Sequence, residues 1–204
     1  MVIEVFADIW CPFAHVGLRA VVAERARLGH TDIPLHVRAW PLELVNGRPL
    51  VAGDTAHHVA DLREQVAPDL FAGFNVSTFP HSTIEALGLV ARAYRRNATT
   101  GEAVSLALRD ALFERGLDIS ACGVLASIAA DHDVTYSVHD GVDDVLADWA
   151  EGRERGVQGS PHFFCRDDEA FCPVLDVERD EHGHLVVQRT AAMLNRFLDT
   201  CLNP

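Results

Sequence analysis

The sequence has few basic residues and no long apolar run, and both shortages limit its partners. Lys and Arg number 17 against 30 Asp and Glu, which gives a formal net charge of −13. Nucleic-acid backbones and anionic membrane surfaces would repel such a chain. No uninterrupted apolar stretch reaches the roughly 18 residues of a membrane-spanning helix. We therefore expect neither nucleic acid nor a membrane among the partners.

A secretory signal is also missing from the first residues. Residues 1–8 contain no basic stretch, and their apolar run is short and interrupted by Glu4. Signal peptides combine a positively charged start with a longer apolar core. We therefore expect the protein in the cytoplasm.

No two cysteines are spaced as C-x-x-C, so the usual motifs of a zinc ribbon and of a dithiol redox enzyme are absent. An odd and scattered set of cysteines is typical of a reducing compartment. The five are Cys11, Cys122, Cys165, Cys172 and Cys201. Histidine clusters lie at 57–58, 131–133 and 182–184, but no further ligand converges on them in the sequence, so we expect no bound metal.

Hydrophobic periodicity predicts a sheet at both ends of the chain and helices in the middle. Residues 2–6 and 33–39 are predicted strands, and residues 14–28 form a predicted helix between them. Helical spacing replaces this pattern from about residue 55 to residue 149, where we expect four or five helices. Ser120 is a candidate N-cap for one of them.

Strand patterns return after residue 156. We predict a hairpin with strands at 162–165 and 171–177 and a polar turn at 166–169. A final helix follows, and its apolar side chains share one face. These side chains are Leu194, Phe197, Leu198 and Cys201. The order of elements indicates one sheet domain interrupted by a helical insertion.

A cysteine stands where the first predicted strand meets the first predicted helix. Cys11 is followed by Pro12, which fits a first helical turn because that turn leaves its N–H groups unbonded. A helix N-terminus favours the thiolate, and such sites lower a cysteine pKa. The alternative is that Cys11 is a small buried apolar residue.

A proline in the second sheet-forming part is the other chemical signal. Pro161 stands directly before a predicted strand, where a proline and its cis isomer are tolerated. The position is therefore compatible with a cis bond between Ser160 and Pro161.

Two motifs with the helical insertion between them resemble the DsbA family, nearest its cytoplasmic FrnE-like branch. They are W-C-P-F at 10–13 and G-V-Q-G-S-P-H-F-F at 156–164. Segments 39–44, 79–82 and 111–120 are similar to that branch too. The resemblance therefore runs along nearly the whole chain.

The resemblance implies a thioredoxin-like fold with an inserted all-helical domain. Residues 1–51 and 150–204 would form the thioredoxin-like domain, and residues 52–149 the insertion. It also implies that a cis Pro161 lies beside a catalytic Cys11. The implied substrate-binding residues are Trp10, Phe13, His15, Gln158, Ser160 and Pro161.

The family's C-x-x-C motif is C-P-F-A here, with Ala14 in place of the second, resolving cysteine. That cysteine attacks the mixed disulfide and releases the product, so this motif alone cannot complete a dithiol cycle. We expect a thiol–disulfide oxidoreductase or thiol transferase that works through Cys11, with no tightly bound cofactor. Glutathione or mycothiol is the expected co-substrate. The expected partner is a small thiol or a disulfide-containing peptide or protein, and a homodimer is left open.

Two other functions stay open. Kappa-class glutathione transferases and 2-hydroxychromene-2-carboxylate isomerases are similar in architecture, bind glutathione and carry serine at the position of Cys11. A glutathione-dependent isomerase or transferase is therefore one alternative, and a non-catalytic binding protein is another. The retained thiol favours disulfide exchange.

Several side chains have two interpretations at this stage. His15 lies one helical turn from Cys11 and either stabilises its thiolate or is an exposed imidazole. Trp10 and Phe13 either form an apolar rim for the substrate or belong to the core. Cys165 and Cys172 flank the predicted hairpin. They either face each other as a redox pair or are packed thiols.

Overall fold

A computed structural model of the chain describes residues 2–181 and 184–202. Within these residues the strands are β1 (Ile3–Ala7), β2 (Leu35–Ala39), β3 (His162–Cys165), β4 (Asp168–Phe171), β5 (Leu175–Arg179) and β6 (Leu185–Arg189). The α-helices are α1 (Pro12–Arg27), α2 (Leu42–Asn46), α3 (Ala52–Gln65), α4 (Ile84–Arg96), α5 (Ala98–Phe113), α6 (Cys122–Asp131), α7 (Val142–Glu154) and α8 (Ala191–Leu202). A short 3-10 helix lies at Val76–Thr78.

The central sheet has the strand order β2-β1-β3-β4. Strands β1 and β2 pair in parallel, with Ile3 opposite Leu35, and α1 forms the crossover between them. Strand β3 runs antiparallel to both β1 and β4. Because of this arrangement, the residues that follow Ala7 lie beside the residues that precede His162.

Strands β5 and β6 form a separate hairpin that packs against α3. The side chain of Gln65 donates to the Leu185 carbonyl oxygen at 3.0 Å and accepts from the Val187 N–H at 2.8 Å. Helix α8 then covers the central sheet, with the Phe197 ring 5.8 Å from the Phe163 ring. The apolar face predicted for this last helix is buried.

The single strand predicted at residues 171–177 is wrong, because this range contains the end of β4, a turn and the start of β5. Strand β4 ends at Phe171, and Cys172 takes a left-handed backbone with φ of 46°. Pro173 follows, which has no N–H to donate to a ladder. Strand β5 then begins at Leu175 and pairs with β6, a short strand that the sequence analysis did not predict.

The N-cap predicted at Ser120 is also wrong. Helix α6 begins one residue later, with Ala121 at the N-cap position. The Ser120 hydroxyl is instead hydrogen-bonded to the Asp118 carboxylate, which also accepts the Ser120 N–H at 2.9 Å. A local turn has taken the side chain that would otherwise cap the helix.

Between β2 and β3 the described residues form helices and no strand. Helix α7 continues to Glu154, past the residue-149 boundary predicted for the helical insertion, and its Asp148 accepts a hydrogen bond from Arg38 of β2 at 2.7 Å. A continuous apolar core joins β1 and α1 to helices α4 and α5. The division into two domains therefore stays a prediction. Of the helices described, none has the length and apolarity needed to cross a membrane.

Candidate active site

Cys11 lies at the junction of β1 and α1. It is the N-cap residue of α1, and Pro12 occupies the first helical position. The first turn closes when the His15 N–H donates to the Cys11 carbonyl oxygen at 3.1 Å. The Cys11 residue is only 4% exposed, so its thiol lies at the edge of the core rather than on an open surface.

Two hydrogen bonds fix the segment before β3 against this junction. The Cys11 thiol donates to the Ser160 carbonyl oxygen at 3.1 Å, and the Asp8 N–H donates to Ser160 Oγ at 2.9 Å. The Ser160–Pro161 bond is cis, as the resemblance to the DsbA family implies. Pro161 packs on α1 at Gly17, where an added Cβ would lie 3.3 Å from Pro161 Cγ. The fold thus brings together three of the predicted site residues.

Burial raises the pKa of the Cys11 thiol, whereas the sequence analysis predicted a lowered value. A hydrogen bond from the Ser160 side chain and the backbone N–H groups at Ala14 and Phe13 act in the opposite direction, and the Asp8 carboxylate adds to the rise. The prediction is wrong because the helix-terminus argument assumes a thiol that water can reach. In the free protein Cys11 is therefore mainly a neutral thiol at pH 7.

Two buried charged residues lie behind the thiol, and the sequence analysis missed both. Asp8 and Arg109 are each 0% exposed. The Asp8 carboxylate accepts the Leu42 N–H at 2.6 Å, and Arg109 donates to the Asp8 backbone carbonyl oxygen at 3.2 Å. Burial raises the pKa of Asp8 to about 6 and lowers the pKa of Arg109 to about 10. An acid directly after an apolar strand, three residues before Cys11, was the available signal.

His15 does not contact the Cys11 thiol as a charge partner. The His15 side chain is 1% exposed, and its Nε2 is hydrogen-bonded to Glu114 Oε1 at 2.7 Å. The ring packs against Phe71 and Phe113, with centroid distances of 5.3 and 4.9 Å. Burial lowers the pKa of His15. Both sequence interpretations are wrong, because Glu114, the residue that caps the C-terminal end of α5, holds the imidazole inside the core.

The other predicted binding residues lie in different environments. Trp10 is fully buried and stacks on Phe79 at 5.8 Å, so it belongs to the core and not to a substrate rim. Phe13 is half-buried at the surface beside Cys11. Gln158 is exposed, and its backbone N–H donates to a buried histidine ring in β3. Of these three, Phe13 alone is placed beside the thiol.

Two clefts open on either side of Phe13. The first has a volume of about 230 Å³, includes Cys11, and carries the polar side chains of Arg48, Asp54 and His58. The second has a volume of about 450 Å³ and lies on the Ser160 side. It is lined by Phe13, Ser160, Phe171, Cys172, Val177 and Met193, together with other residues of β5. Phe13 therefore lines both clefts.

Cys165 and Cys172 do not face each other across the hairpin. Cys165 lies opposite Asp168 in the ladder and is hydrogen-bonded to Cys201, whose pKa is raised by burial and by this contact. Cys172 lies beyond the ladder, and its N–H donates to the Pro161 carbonyl oxygen at 3.0 Å. Of the two interpretations, the facing redox pair is therefore wrong, and Cys172 is the one of these two cysteines that lines the second cleft.

In the described part of the chain, no group of three or more His, Cys, Asp or Glu side chains is placed to bind a metal ion. His182, from one of the three histidine clusters, lies outside the described residues.

Comparison with known proteins gives matches in structure and none in sequence. No family model matches the chain. No curated protein matches it either.

Three solved structures of similar fold illustrate the likeness. A probable DsbA oxidoreductase from Streptomyces coelicolor is 19% identical with a TM-score of 0.68, and the match covers 98% of this chain and 89% of that one. The cytosolic disulfide reductase DsbM from Pseudomonas aeruginosa, solved with GSH, is 15% identical with a TM-score of 0.64, and the match covers 100% of both chains. A 2-hydroxychromene-2-carboxylate isomerase is 14% identical with a TM-score of 0.63, covering 84% of this chain and 88% of that one. The chain therefore has the thioredoxin-like fold of these DsbA-type structures.

Proposed function

We propose that the protein is a thiol–disulfide oxidoreductase or thiol transferase of the DsbA and FrnE type, with Cys11 as its nucleophile. The observation that carries this proposal is the hydrogen bond from the Cys11 thiol to the Ser160 carbonyl oxygen, beside Pro161. It sets a cysteine against a strand end whose backbone can pair with an extended substrate. Two of the three structural relatives are described as disulfide oxidoreductases or reductases.

Substrate binding would also activate the thiol. In the free protein the Ser160 carbonyl oxygen accepts the Cys11 S–H. A substrate N–H that pairs with the same oxygen competes for it, which favours loss of the thiol proton. The resulting thiolate attacks one sulfur of the substrate disulfide, the S–S bond breaks, and the other sulfur leaves as a thiolate. Cys11 is then held in a mixed disulfide.

Release from this mixed disulfide needs a second thiol. Ala14, at the position of a resolving cysteine in C-x-x-C, is fully buried and has no reactive group. We propose that a small thiol such as glutathione or mycothiol attacks the mixed disulfide and frees Cys11. Arg48 in the first cleft offers a cation to the carboxylates of glutathione. All five cysteines are free, which suits a cytoplasmic protein that uses external thiols.

The proposal is tested by turnover of a glutathionylated peptide with glutathione, and separately with mycothiol, as the reductant. We expect wild-type protein to release the peptide thiol catalytically and Cys11→Ser to fall to the uncatalysed rate. Cys122→Ser is the matched control, because Cys122 is exposed and lies on α6, away from the Cys11 clefts. Folded wild-type protein that turns over with neither thiol would contradict the proposal and favour the binding protein. Activity only as a glutathione-dependent isomerase would favour that alternative.

A further inference from the structure

A second cysteine, Cys172, lies beside the Ser160–Pro161 step. The Cys11 thiol is hydrogen-bonded to the Ser160 carbonyl oxygen at 3.1 Å. The Cys172 N–H is hydrogen-bonded to the next carbonyl oxygen, that of Pro161, at 3.0 Å. Two cysteines 161 positions apart are therefore held on neighbouring peptide units.

The backbone of Cys172 is unusual for a residue that only fills space. Its φ of 46° lies in the left-handed region, where a residue with a Cβ pays about 1–2 kcal/mol relative to the usual helical conformation. Glycine or asparagine normally occupies such a position. Non-glycine residues in this conformation are concentrated at functional sites. The turn also ends β4 and leaves Cys172 on the wall of the second cleft, together with Phe13 and Ser160.

A negative charge on Cys11 affects the pKa of Cys172. Burial raises the pKa of Cys172 to about 12, and a negative charge on Cys11 contributes to that rise. Cys165, the other candidate from the sequence, is paired with Cys201 and lies opposite Asp168 instead. The second thiol near the nucleophile is thus Cys172.

We propose that Cys172 is a resolving cysteine for Cys11 and supplies, from the end of β4, the thiol that the C-P-F-A motif lacks. This inference rests on the proposed function, since it needs a mixed disulfide on Cys11. It adds an internal route to release by an external small thiol, and the two routes compete. The internal route dominates when the small thiol is scarce.

The step balances as an ordinary thiol–disulfide exchange. The Cys172 thiolate attacks Cys11 Sγ, the bond from Cys11 to the substrate sulfur breaks, and the substrate leaves as a thiolate that takes up a proton. The substrate disulfide has then gained two electrons, and the two protein thiols have lost them. Two equivalents of a low-molecular-weight thiol reduce the Cys11–Cys172 disulfide and are themselves oxidised to a disulfide.

The charge of the Cys11 thiolate bears on the timing of the step. A thiolate on Cys11 disfavours a thiolate on Cys172, so the two do not ionise together. Cys11 is mainly neutral in the free protein and carries no charge in a mixed disulfide, so this repulsion acts only while Cys11 is the attacking thiolate.

The test is the fate of Cys11 when reduced protein meets one equivalent of oxidised glutathione without free glutathione. After acid quenching, intact mass and peptide mapping should show a Cys11–Cys172 disulfide and no retained glutathione in wild type. Cys172→Ser and Cys172→Ala should both retain one glutathione on Cys11. Cys165→Ser, a matched buried cysteine, should behave as wild type. A thermal melt of each variant confirms that it is folded.

The outcomes separate the two proposals. Equal retention of glutathione on Cys11 in wild type and in the Cys172 variants overturns the role of Cys172 and leaves the proposed function standing. Loss of the internal disulfide in Cys165→Ser and not in Cys172→Ser also overturns it. A wild type that forms neither an adduct nor a disulfide at Cys11 contradicts the proposed function itself.

Discussion

The Cys11 thiol and the Ser160 carbonyl oxygen are hydrogen-bonded at 3.1 Å although the two residues are 149 positions apart in the chain. This bond joins the start of α1 to the loop before β3, which the sheet brings together because β1 and β3 are antiparallel neighbours. Because the thiol is the donor, this hydrogen bond favours the protonated form of Cys11, a residue that is 4% exposed. The chemistry of the site therefore depends on how easily that proton is released.

Alkylation of Cys11 should show a raised pKa. Burial lifts it above its ordinary value of 9.0, so we expect slow reaction with iodoacetamide at pH 7 and a rate that rises through pH 9 and beyond. Site-resolved mass spectrometry of the reaction against pH measures this. Urea-unfolded protein is the control, and its Cys11 should react faster at pH 7. A midpoint near pH 7 in the folded protein would mean that the helix terminus outweighs burial.

Asp8 should make stability depend on pH. Its folded pKa of about 6 lies above its ordinary value of 3.8, so folding favours the protonated carboxyl. This contribution amounts to about 3 kcal/mol, is fully present only below the ordinary pKa of 3.8, and is lost as pH rises through 6. Urea unfolding at pH 4 and pH 7 should show wild type losing most of that amount relative to Asp8→Asn. The exposed Asp69→Asn is the control, and an equal pH dependence in wild type and Asp8→Asn would refute the prediction.

Removing the Glu114 carboxylate should destabilise the protein. Its oxygens accept from His15 Nε2 at 2.7 Å and from the N–H groups of Phe71 and Ala72 at 2.9 and 3.2 Å. We expect Glu114→Ala to lower the free energy of unfolding by about 2–4 kcal/mol at pH 7, because it leaves the buried donors of His15 and Phe71 unpaired. Glu114→Gln keeps one acceptor oxygen and should cost less. Equal losses in both variants, by urea denaturation, would count against this account.

Protonation of the Glu114 carboxylate should destabilise the fold in acid. Burial opposes its ionisation, but the hydrogen bonds from His15 and the backbone prevail and lower the pKa of Glu114 to about 2. The stabilisation is therefore present above about pH 4.5 and is lost as pH falls towards 2. The stability difference between wild type and Glu114→Ala should shrink as urea unfolding is repeated at lower pH. A difference that grows in acid would reverse the assigned sign.

Ala14→Cys should create a working dithiol motif. Positions 11 and 14 are one helical turn apart on the same face, which is close enough for a disulfide. In a Cys172→Ser background, so that only the new thiol can resolve, we expect release of glutathione from Cys11 and faster disulfide exchange without a change of fold. Intact mass after oxidised glutathione and circular dichroism measure both. An adduct that persists as in Cys172→Ser alone would show that position 14 cannot reach Cys11.

The sequence alone was sufficient for the local features of the site. The position of Cys11 at a helix start, with Pro12 after it, follows from residue preferences within one helical turn. Pro161 before a strand, the helical middle of the chain and the buried face of the last helix follow from short-range periodicity in the same way. Each of these signals lies within about a dozen residues, and the structure agrees with each.

Only the tertiary structure decided the electrostatics and the neighbours of the thiol. The pKa of Cys11 rises rather than falls because the fold buries it, and burial is a property of the packed molecule. His15 contacts Glu114 across 99 positions, Arg109 contacts Asp8 across 101, and the Cys11 thiol contacts the Ser160 carbonyl oxygen across 149. No local pattern encodes such contacts, since they arise when sheet order and helix packing bring distant segments together.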